Sequence, residues 1–210
     1  MAKCSAYWTG FAFNIVEKKQ RGSVMLTLDF CVASADDANH IVELVNSAYR
    51  GESSRQGWTT EADLLDGRRT ELEEISHLLY SNNAIILCCK TQNKIIGSIC
   101  LTYSDSQVEM GMFAVNPHHQ GQGIGKQLLH YAECYATQKW PIERYVLEVI
   151  HCRHELIAFY ERKGYKLTSE RREFPVNPAL WTPKVDGLVL LVLEKSFSCI
   201  NITQNCYKSK

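Results

Sequence analysis

The chain of 210 residues carries 23 basic and 23 acidic side chains, and 45% of its residues are apolar. This length suits one domain with a substantial core, and the balanced charge argues against a protein that coats nucleic acid or lies on a membrane surface. No segment reaches the ~18 consecutive apolar residues of a membrane-spanning helix, so we expect neither nucleic acid nor a membrane as a partner.

The first 24 residues show no convincing periodicity and end near the charged stretch EKKQRG. They lack the basic start and the cleavage site of a secretory signal peptide. We interpret residues 1–24 as a poorly ordered N-terminal extension, residues 25–195 as the folded domain and residues 196–210 as a C-terminal tail.

Two features mark the first third of the folded domain. An alternating strand is predicted at 25–33 and a helix at about 36–49, where apolar residues recur at helical spacing. The polar stretch 51–69 that follows is unusually long for a connection, and loops of this length commonly line a site. A second helix is predicted to about residue 80, with capping-box spacing between Thr70 and Glu73.

The rest of the domain reads as strands interrupted by two helices. The predicted strands are AIILCCK (84–90), KIIGSICLTY (94–103), VEMGMFAV (108–115), RYVLEVI (144–150), YKLTSERREF and GLVLLVLEK (187–195), and the predicted helices cover about 123–139 and 154–164. The order β α α β β β α β α β β indicates a mixed α/β domain and not the strict alternation of a doubly wound fold.

Nine cysteines are present, an odd number, and no two of them have C-x-x-C spacing. Several lie inside apolar runs, where a thiol behaves as a small hydrophobic side chain. A reducing compartment suits such a chain, so we expect a cytoplasmic protein.

The stretch PHHQGQGIGK (117–126) lies between a predicted strand and a predicted helix. The first amides of a helix have no partner and the helix macrodipole adds positive charge there, so such a junction can hold phosphate groups. The P-loop would need Gly at 120 and Ser or Thr at 127, where Gln120 and Gln127 stand, and the dinucleotide fingerprint would need Gly at 126, which is Lys126. Without its context the stretch is equally compatible with a structural turn.

The context of these glycines adds a resemblance. V-N-P-H-H-Q-G-Q-G-I-G (115–125) resembles the coenzyme-A motif of the GNAT family of acyl-CoA-dependent N-acyltransferases, with Gln120, Gly123 and Gly125 at its defining positions. LEVIHCRHELIAFYERKGY (147–165) is similar to the second signature of that family, and GESSRQGWTTEADLLDG (51–67) looks like an uncharacterised microbial branch. The resemblance implies a single domain with a mixed, mostly antiparallel central sheet flanked by helices, and acetyl-CoA as co-substrate.

The resemblance also implies the coenzyme contacts. Backbone groups of Phe113, Ala114 and Val115 are expected to pair with the pantetheine arm as another strand would. The pyrophosphate is expected to lie on the backbone amides of Gln120, Gly121, Gln122, Gly123, Ile124, Gly125 and Lys126, and the Lys126 side chain either meets a phosphate or is solvated.

One position departs from the family pattern. The asparagine that precedes the second family helix is Arg153 here, and arginine has no acceptor with which to replace an amide carbonyl. Its guanidinium is expected either at a coenzyme phosphate or in an ion pair with Glu155 or Glu161.

Acetyl transfer from a thioester to an amine needs a base, a donor to the oxyanion and an acid for the departing thiolate. At neutral pH, less than about 1% of an ammonium with pKa ~10.4 is deprotonated. Tyr160 matches the family's acid, although a tyrosine on an amphipathic helix is often simply part of the core. Glu109 and Glu148 match base positions of two different branches, and each could instead be solvated or ion-paired; we favour Glu109. The oxyanion donor is expected on the strand 113–115.

The polar stretch 51–69 is the candidate for acceptor recognition. Glu52, Glu61, Asp63 and Asp66 could attract an ammonium, and Trp58 could supply a cation–π face; the alternative is a solvent-facing loop anchored by Trp58. The histidines of HH (118–119) and HCRH (151–154) lack the paired spacing of a structural zinc site, so no metal is predicted.

These observations predict a cytoplasmic, acetyl-CoA-dependent N-acetyltransferase that is a monomer or homodimer. We favour a small-molecule amine acceptor, because no strong acidic groove for a basic peptide is evident. The alternatives are a non-catalytic acyl-CoA sensor, an acetyltransferase acting on a protein or peptide amine, and a nucleotide-phosphate binder.

Overall fold

The computed structural model describes residues 13–15 and 27–196. In this part of the chain the strands are β1 Phe13–Ile15, β2 Leu28–Val32, β3 Leu65–Gly67, β4 Ala84–Thr91, β5 Lys94–Ser104, β6 Gln107–Val115, β7 Arg144–Ile150, β8 Lys166–Glu173, β9 Trp181–Pro183 and β10 Val189–Ser196. The helices are α1 Ala38–Tyr49, α2 Gly51–Ser54, α3 Leu72–Tyr80, α4 Ile124–Lys139 and α5 His154–Glu161. None of the described helices is long and apolar enough to cross a membrane.

One sheet organises the domain. Its strand order is β1-β2-β4-β5-β6-β7-β10-β8, and neighbours run antiparallel except β6 and β7, which are parallel. The β4–β5 hairpin turns at Gln92 and Asn93, whose φ angles of 47° and 63° belong to the left-handed region that tight hairpin turns require. The predicted mixed α/β domain with a mostly antiparallel sheet flanked by helices is confirmed.

Helices cover both faces of the sheet, which explains why β4 reads as a continuous apolar run. Side chains alternate between the faces of a strand. Ile86 and Cys88 pack in the core beneath α1 and α3, whereas Leu87 and Cys89 pack in the core beneath α4. Both sets are therefore buried, and the two β4 cysteines act as small hydrophobic residues, as predicted.

The two central parallel strands pair over only part of their length. Their pairing runs from Gln107 and Arg144 to Met110 and Leu147, and beyond this point no pairing between β6 and β7 is found among the described residues. An extra residue in β6 shifts its register against β5, and Met112 there has a φ of 45°. A bulge of this kind bends its strand, so β6 turns away from β7 and a gap opens between them.

The long polar stretch contains more structure than the sequence indicates. It begins with the short helix α2 and ends in β3, which pairs antiparallel with β9 from the Pro-rich loop. Gly67 has a φ of 92°, and a Cβ there would lie 2.2 Å from the Leu180 carbonyl oxygen, so the close approach of these two loops requires glycine. These two segments together cover one side of the gap.

Two further predictions are modified. Within the predicted extension 1–24, residues Phe13–Ile15 form an edge strand paired with β2, and the rest of that prediction, like the tail after residue 196, lies outside the described residues. The predicted Thr70–Glu73 capping box is not formed, because the Thr70 hydroxyl donates to the Glu74 carboxylate at 2.7 Å.

Candidate active site

The glycine-rich turn ends β6 and begins α4. Gly121 and Gly123 have φ angles of 75° and 81°, which side-chain-bearing residues rarely adopt. A Cβ at either position would meet no protein atom within 4 Å, so the backbone conformation demands glycine and the space in front of the turn is open. The first amides of α4, a helix of 16 residues, have no intrahelical partner and face this junction. The turn therefore fits an anion such as a pyrophosphate.

A groove of about 190 Å³ adjoins this turn. Besides the turn residues it is lined by Phe113 and Val115 of β6 and by Leu156 and Phe159 of α5. Its mixture of apolar walls and open amides suits a pantetheine arm that ends in a pyrophosphate.

The backbone amide of Gln120 does not point into the predicted pyrophosphate site. Its backbone N–H donates to the Pro117 carbonyl at 3.3 Å, which removes this amide from the predicted cradle and leaves those of residues 121–126. Its side chain donates to the Thr59 hydroxyl at 2.9 Å and to the Val115 carbonyl at 3.0 Å, and it accepts from the Trp58 N–H at 2.9 Å. Gln120 thus fastens the polar stretch to the end of β6. The neighbouring Gln122 side chain donates to the His118 carbonyl at 3.3 Å.

The edge of β6 offers fewer pairing groups than predicted. Ala114 lies opposite Ser98 of β5, and the next residue but one, Asn116, donates its N–H to the Ile96 carbonyl at 2.8 Å. Because neighbouring strand residues direct their backbone groups to opposite edges, Val115 faces the gap and Ala114 faces β5. The backbone of Ala114 is therefore not available to a pantetheine arm.

A second cavity of about 190 Å³ occupies the gap between β6 and β7. Its walls include all three predicted catalytic side chains, Glu109, Glu148 and Tyr160. Phe113 and Leu156 line this catalytic cavity and the coenzyme groove alike, so the two spaces adjoin.

Tyr160 is buried, with 7% of its surface exposed, and its ring packs against Phe113, Phe159 and Tyr165. No hydrogen bond from its hydroxyl to any of the described residues is found, although the residue lines the catalytic cavity. Burial and the neighbouring Tyr49 hydroxyl raise the pKa of Tyr160 far above its ordinary value. Tyr160 therefore holds its proton at neutral pH.

The two candidate bases differ in their partners. Glu148 is ion-paired with Arg172, whereas no carboxylate–cation pair within the described residues involves Glu109. Partial desolvation of Glu109, which remains an exposed residue, and the charge of the Glu148 carboxylate raise the pKa of Glu109, and Arg172 offsets part of this effect. Glu109 is thus the carboxylate that is free to accept a proton.

Arg153 lines the catalytic cavity and is not among the residues that line the groove at the turn. Its guanidinium contacts the Glu61 carboxylate at 3.5 Å and the Trp58 carbonyl at 3.4 Å, and it pairs with neither of the two glutamates of its own helix. Glu61 also binds Arg50, so that one carboxylate is shared by two guanidinium groups. This corrects both predictions: Arg153 is held in a protein ion pair, and Glu61 is already neutralised and does not present a free charge to an ammonium.

The other predicted acceptor residues lie outside the catalytic cavity. Glu52 and Asp63 pair with the partly exposed Arg55, and the Asp66 carboxylate accepts from the backbone of the next residue. Trp58 packs on Phe159 with ring centres 5.8 Å apart and lines the coenzyme groove.

Sequence reasoning missed several residues of the catalytic cavity. Tyr49, Arg50 and Arg69 come from the first half of the chain, and Phe174 and Trp181 come from the Pro-rich loop. No local pattern marks these positions, since they come from segments that are distant in the chain and meet only in the folded domain.

Comparison with known proteins identifies the family. Residues 39–165 match the sequence model of the acetyltransferase (GNAT) family. The chain belongs to this family. It is an acyl-CoA-dependent N-acetyltransferase.

Individual relatives of this GNAT protein agree with the assignment. An S-alkylcysteine N-acetyltransferase from Bacillus subtilis (strain 168) is 26% identical over 156 residues, which cover 69% of this chain and 82% of the relative. An N-acetyltransferase from Staphylococcus aureus Mu50 superposes with a TM-score of 0.61 at 14% identity, covering 80% of this chain and 97% of its own. The paia N-acetyltransferase from Thermoplasma acidophilum, solved in complex with coenzyme A, superposes with a TM-score of 0.57 at 18% identity, covering 81% and 99%.

The GNAT fold binds acetyl-CoA, and the residues of this chain fit that co-substrate. The positive-φ glycines leave the space in front of α4 open, and the groove leads from them to the catalytic cavity. Within residues 13–15 and 27–196, no three His, Cys, Asp or Glu side chains are grouped so that they could hold a metal ion.

Proposed function

We propose that this protein transfers the acetyl group of acetyl-CoA directly to the primary amine of a small molecule bound between β6 and β7. The observation that carries the proposal is the presence of Glu109 and Tyr160 on the walls of one cavity, which adjoins the groove at the glycine turn. The small volume of the cavity, about 190 Å³, and the acceptor in the name of the Bacillus relative both favour a small molecule over a protein tail.

Glu109 is the proposed base. It removes a proton from the acceptor nitrogen, and its raised pKa makes it a stronger base than an ordinary glutamate. Glu148 holds Arg172 and, through its charge, keeps Glu109 basic. In this arrangement Glu148 is a positioning residue and Glu109 is the catalytic one.

Tyr160 is the proposed acid. When bound, acetyl-CoA supplies a thioester carbonyl carbon, to which the C–N bond forms while the C–S bond breaks. Tyr160 donates its proton to the departing sulfur and is reprotonated from solvent. The acceptor ammonium gives up two protons in all, one of which ends on the coenzyme thiol and one in solvent, so the step balances. The backbone N–H of Val115, which faces the gap, is the proposed donor to the developing oxygen charge.

The test compares Tyr160→Phe with wild type. We expect kcat to fall by about 10²–10⁴-fold, with the affinity for acetyl-CoA unchanged in a calorimeter. Tyr80→Phe, at a position 78% exposed on α3, is the matched control and should keep full activity. Thiol release is followed with amines, amino acids, polyamines and peptides.

Each alternative predicts a different result in the same assay. A non-catalytic sensor would bind acetyl-CoA and release no thiol with any acceptor. An enzyme for protein amines would release thiol with peptides alone. Full turnover in Tyr160→Phe would remove Tyr160 from the mechanism.

A further inference from the structure

We propose that the acceptor carries a carboxylate beside its primary amine, and that Arg69, assisted by Arg50, binds this carboxylate in the catalytic cavity. The inference rests on the proposed function for the amine end of the acceptor. It assigns a substrate class and a specificity-determining residue that the catalytic machinery alone does not supply.

One group of charged residues on the cavity wall carries an excess of positive charge. Arg50 and Arg153 share the single carboxylate of Glu61, and Arg69 adds a third guanidinium to the same cavity. Across the described residues, no carboxylate lies within ion-pair distance of Arg69. The Arg69 backbone N–H is held by the Asn46 side chain at 2.7 Å, which fixes the residue at the cavity wall. The cavity therefore presents a guanidinium that no carboxylate of the described residues neutralises.

Arg50 supplies an independent sign of a missing anion. Only 5% of its surface is exposed, and its Nε is buried without a hydrogen-bond partner among the described residues. A buried donor that stays unpaired costs ~1–3 kcal/mol, so such groups in native proteins usually have a partner. Arg50 lines the cavity, so a small shift of its side chain toward a carboxylate bound there would give this donor a partner.

Charges of both signs line the cavity. Tyr49 donates its hydroxyl to the Phe113 carbonyl of β6 at 2.8 Å. It lies within electrostatic range of Glu61 and of the three guanidinium groups of Arg50, Arg69 and Arg153. Glu109 lies further back along β6 on the same cavity. A cavity of about 190 Å³ with a free carboxylate and a free guanidinium matches a small zwitterion that places its ammonium at Glu109 and its carboxylate at the arginines.

The rest of the wall indicates what the acceptor carries besides its two charges. Phe174, Trp181 and Leu190 contribute aromatic and aliphatic surface from the Pro-rich loop and β10. An α-amino acid with an apolar side chain combines all three features.

The experiment compares acceptors that differ only in the carboxylate. Each of three amino acids is paired with the amine that remains when its carboxylate is removed: S-methyl-L-cysteine, L-methionine and L-leucine. The value of kcat/KM is measured by thiol release for wild type, Arg69→Gln, Arg69→Lys and Arg68→Gln. Arg68 is 63% exposed and is the matched control. Wild type should prefer at least one amino acid over its decarboxylated partner. Arg69→Gln should lower kcat/KM for that amino acid by about 10- to 150-fold, the worth of one charge-assisted hydrogen bond, and change the value for the simple amine by less than about twofold.

The remaining outcomes separate this inference from the proposed function. Arg69→Lys should recover part of the preference and Arg68→Gln should retain all of it. Equal losses for both members of a pair in Arg69→Gln, or a wild type that acetylates the simple amines as well as the amino acids, would overturn carboxylate recognition and leave the acetyltransferase intact. Calorimetric binding of an amino acid to the coenzyme A-loaded protein that is lost in Arg69→Gln, without thiol release from any acceptor, would support the carboxylate site and overturn the proposed catalysis. Absence of both binding and turnover for all three amino acids would overturn the inference.

Discussion

The substitution Gly123→Ala tests whether the turn before α4 holds the coenzyme pyrophosphate. The φ of 81° at this N-cap costs an ordinary residue about 1–2 kcal/mol. In a domain of this size, that loss lowers Tm by about 2–8 °C. A Cβ there meets no protein atom within 4 Å, so it would project into the open space where the pyrophosphate is expected. Displacing one charge-assisted hydrogen bond would raise the Kd for acetyl-CoA by about 10- to 150-fold.

Two further variants separate the strain from the loss of binding. Gly187→Ala has nearly the same backbone strain, with a φ of 71° and open space around its Cβ, but it lies outside the coenzyme groove. It should lose stability like Gly123→Ala and bind acetyl-CoA normally. Gly123→Asn should regain much of the stability, because asparagine tolerates the left-handed region, and should still bind weakly. Calorimetry and thermal unfolding measure both quantities. Wild-type Kd values for both Gly123 variants would refute the cradle and the mechanism built on it.

Three other outcomes follow from particular contacts. The raised pKa of Glu109 means that the folded protein binds this proton more tightly than the unfolded chain does, so the stabilisation from this group is lost as pH rises through that pKa; Glu109→Gln should therefore be at least as stable as wild type at pH 7. In the pH profile of kcat/KM, Glu109→Gln should lose the acidic limb and Glu148→Gln should retain one. The reverse pattern would exchange the roles of the two glutamates. Gln120→Ala removes three side-chain hydrogen bonds and should cost about 1–3 kcal/mol and speed amide exchange at residues 57–60, which unchanged exchange would contradict. Gly67→Ala should destabilise by at least about 2 kcal/mol in urea unfolding, since its Cβ would lie 2.2 Å from the Leu180 carbonyl; a neutral result would mean that β3 and β9 are not closely paired.

The sequence predicted those parts of the fold that depend on local pattern. Strand alternation, helical spacing and hairpin residues identified every strand of the main sheet from β2 onward and the four longer helices to within a few residues. The short strands β3 and β9 were not predicted. Each has three residues, too few to show a period, and they exist because two distant loops pair with each other.

The candidate site divides in the same way. Glycine spacing and family resemblance predicted a coenzyme site at the turn before α4, which stays a prediction. The second signature supplied Glu148 and Tyr160 as candidates, the position of Glu109 in its strand supplied the third, and the structure brings all three to one cavity. The sequence could not distinguish the two glutamates, because the partner of Glu148 is Arg172, which lies 24 residues away along the chain and on a strand that reaches it across β10.

The sequence by itself determined the features that depend on contiguous residues. These are the glycines at a strand–helix junction and the buried strands, which appear in the sequence as apolar runs. The tertiary structure alone decided which charges remain free. Arg153 and Glu61 are 92 residues apart in the chain and form an ion pair, while Arg69 in the same cavity has no ion-pair partner within residues 13–15 and 27–196. Charge pairing depends on distances of a few ångströms between elements, and these distances are fixed only when the sheet, its bulge and the two loops pack together.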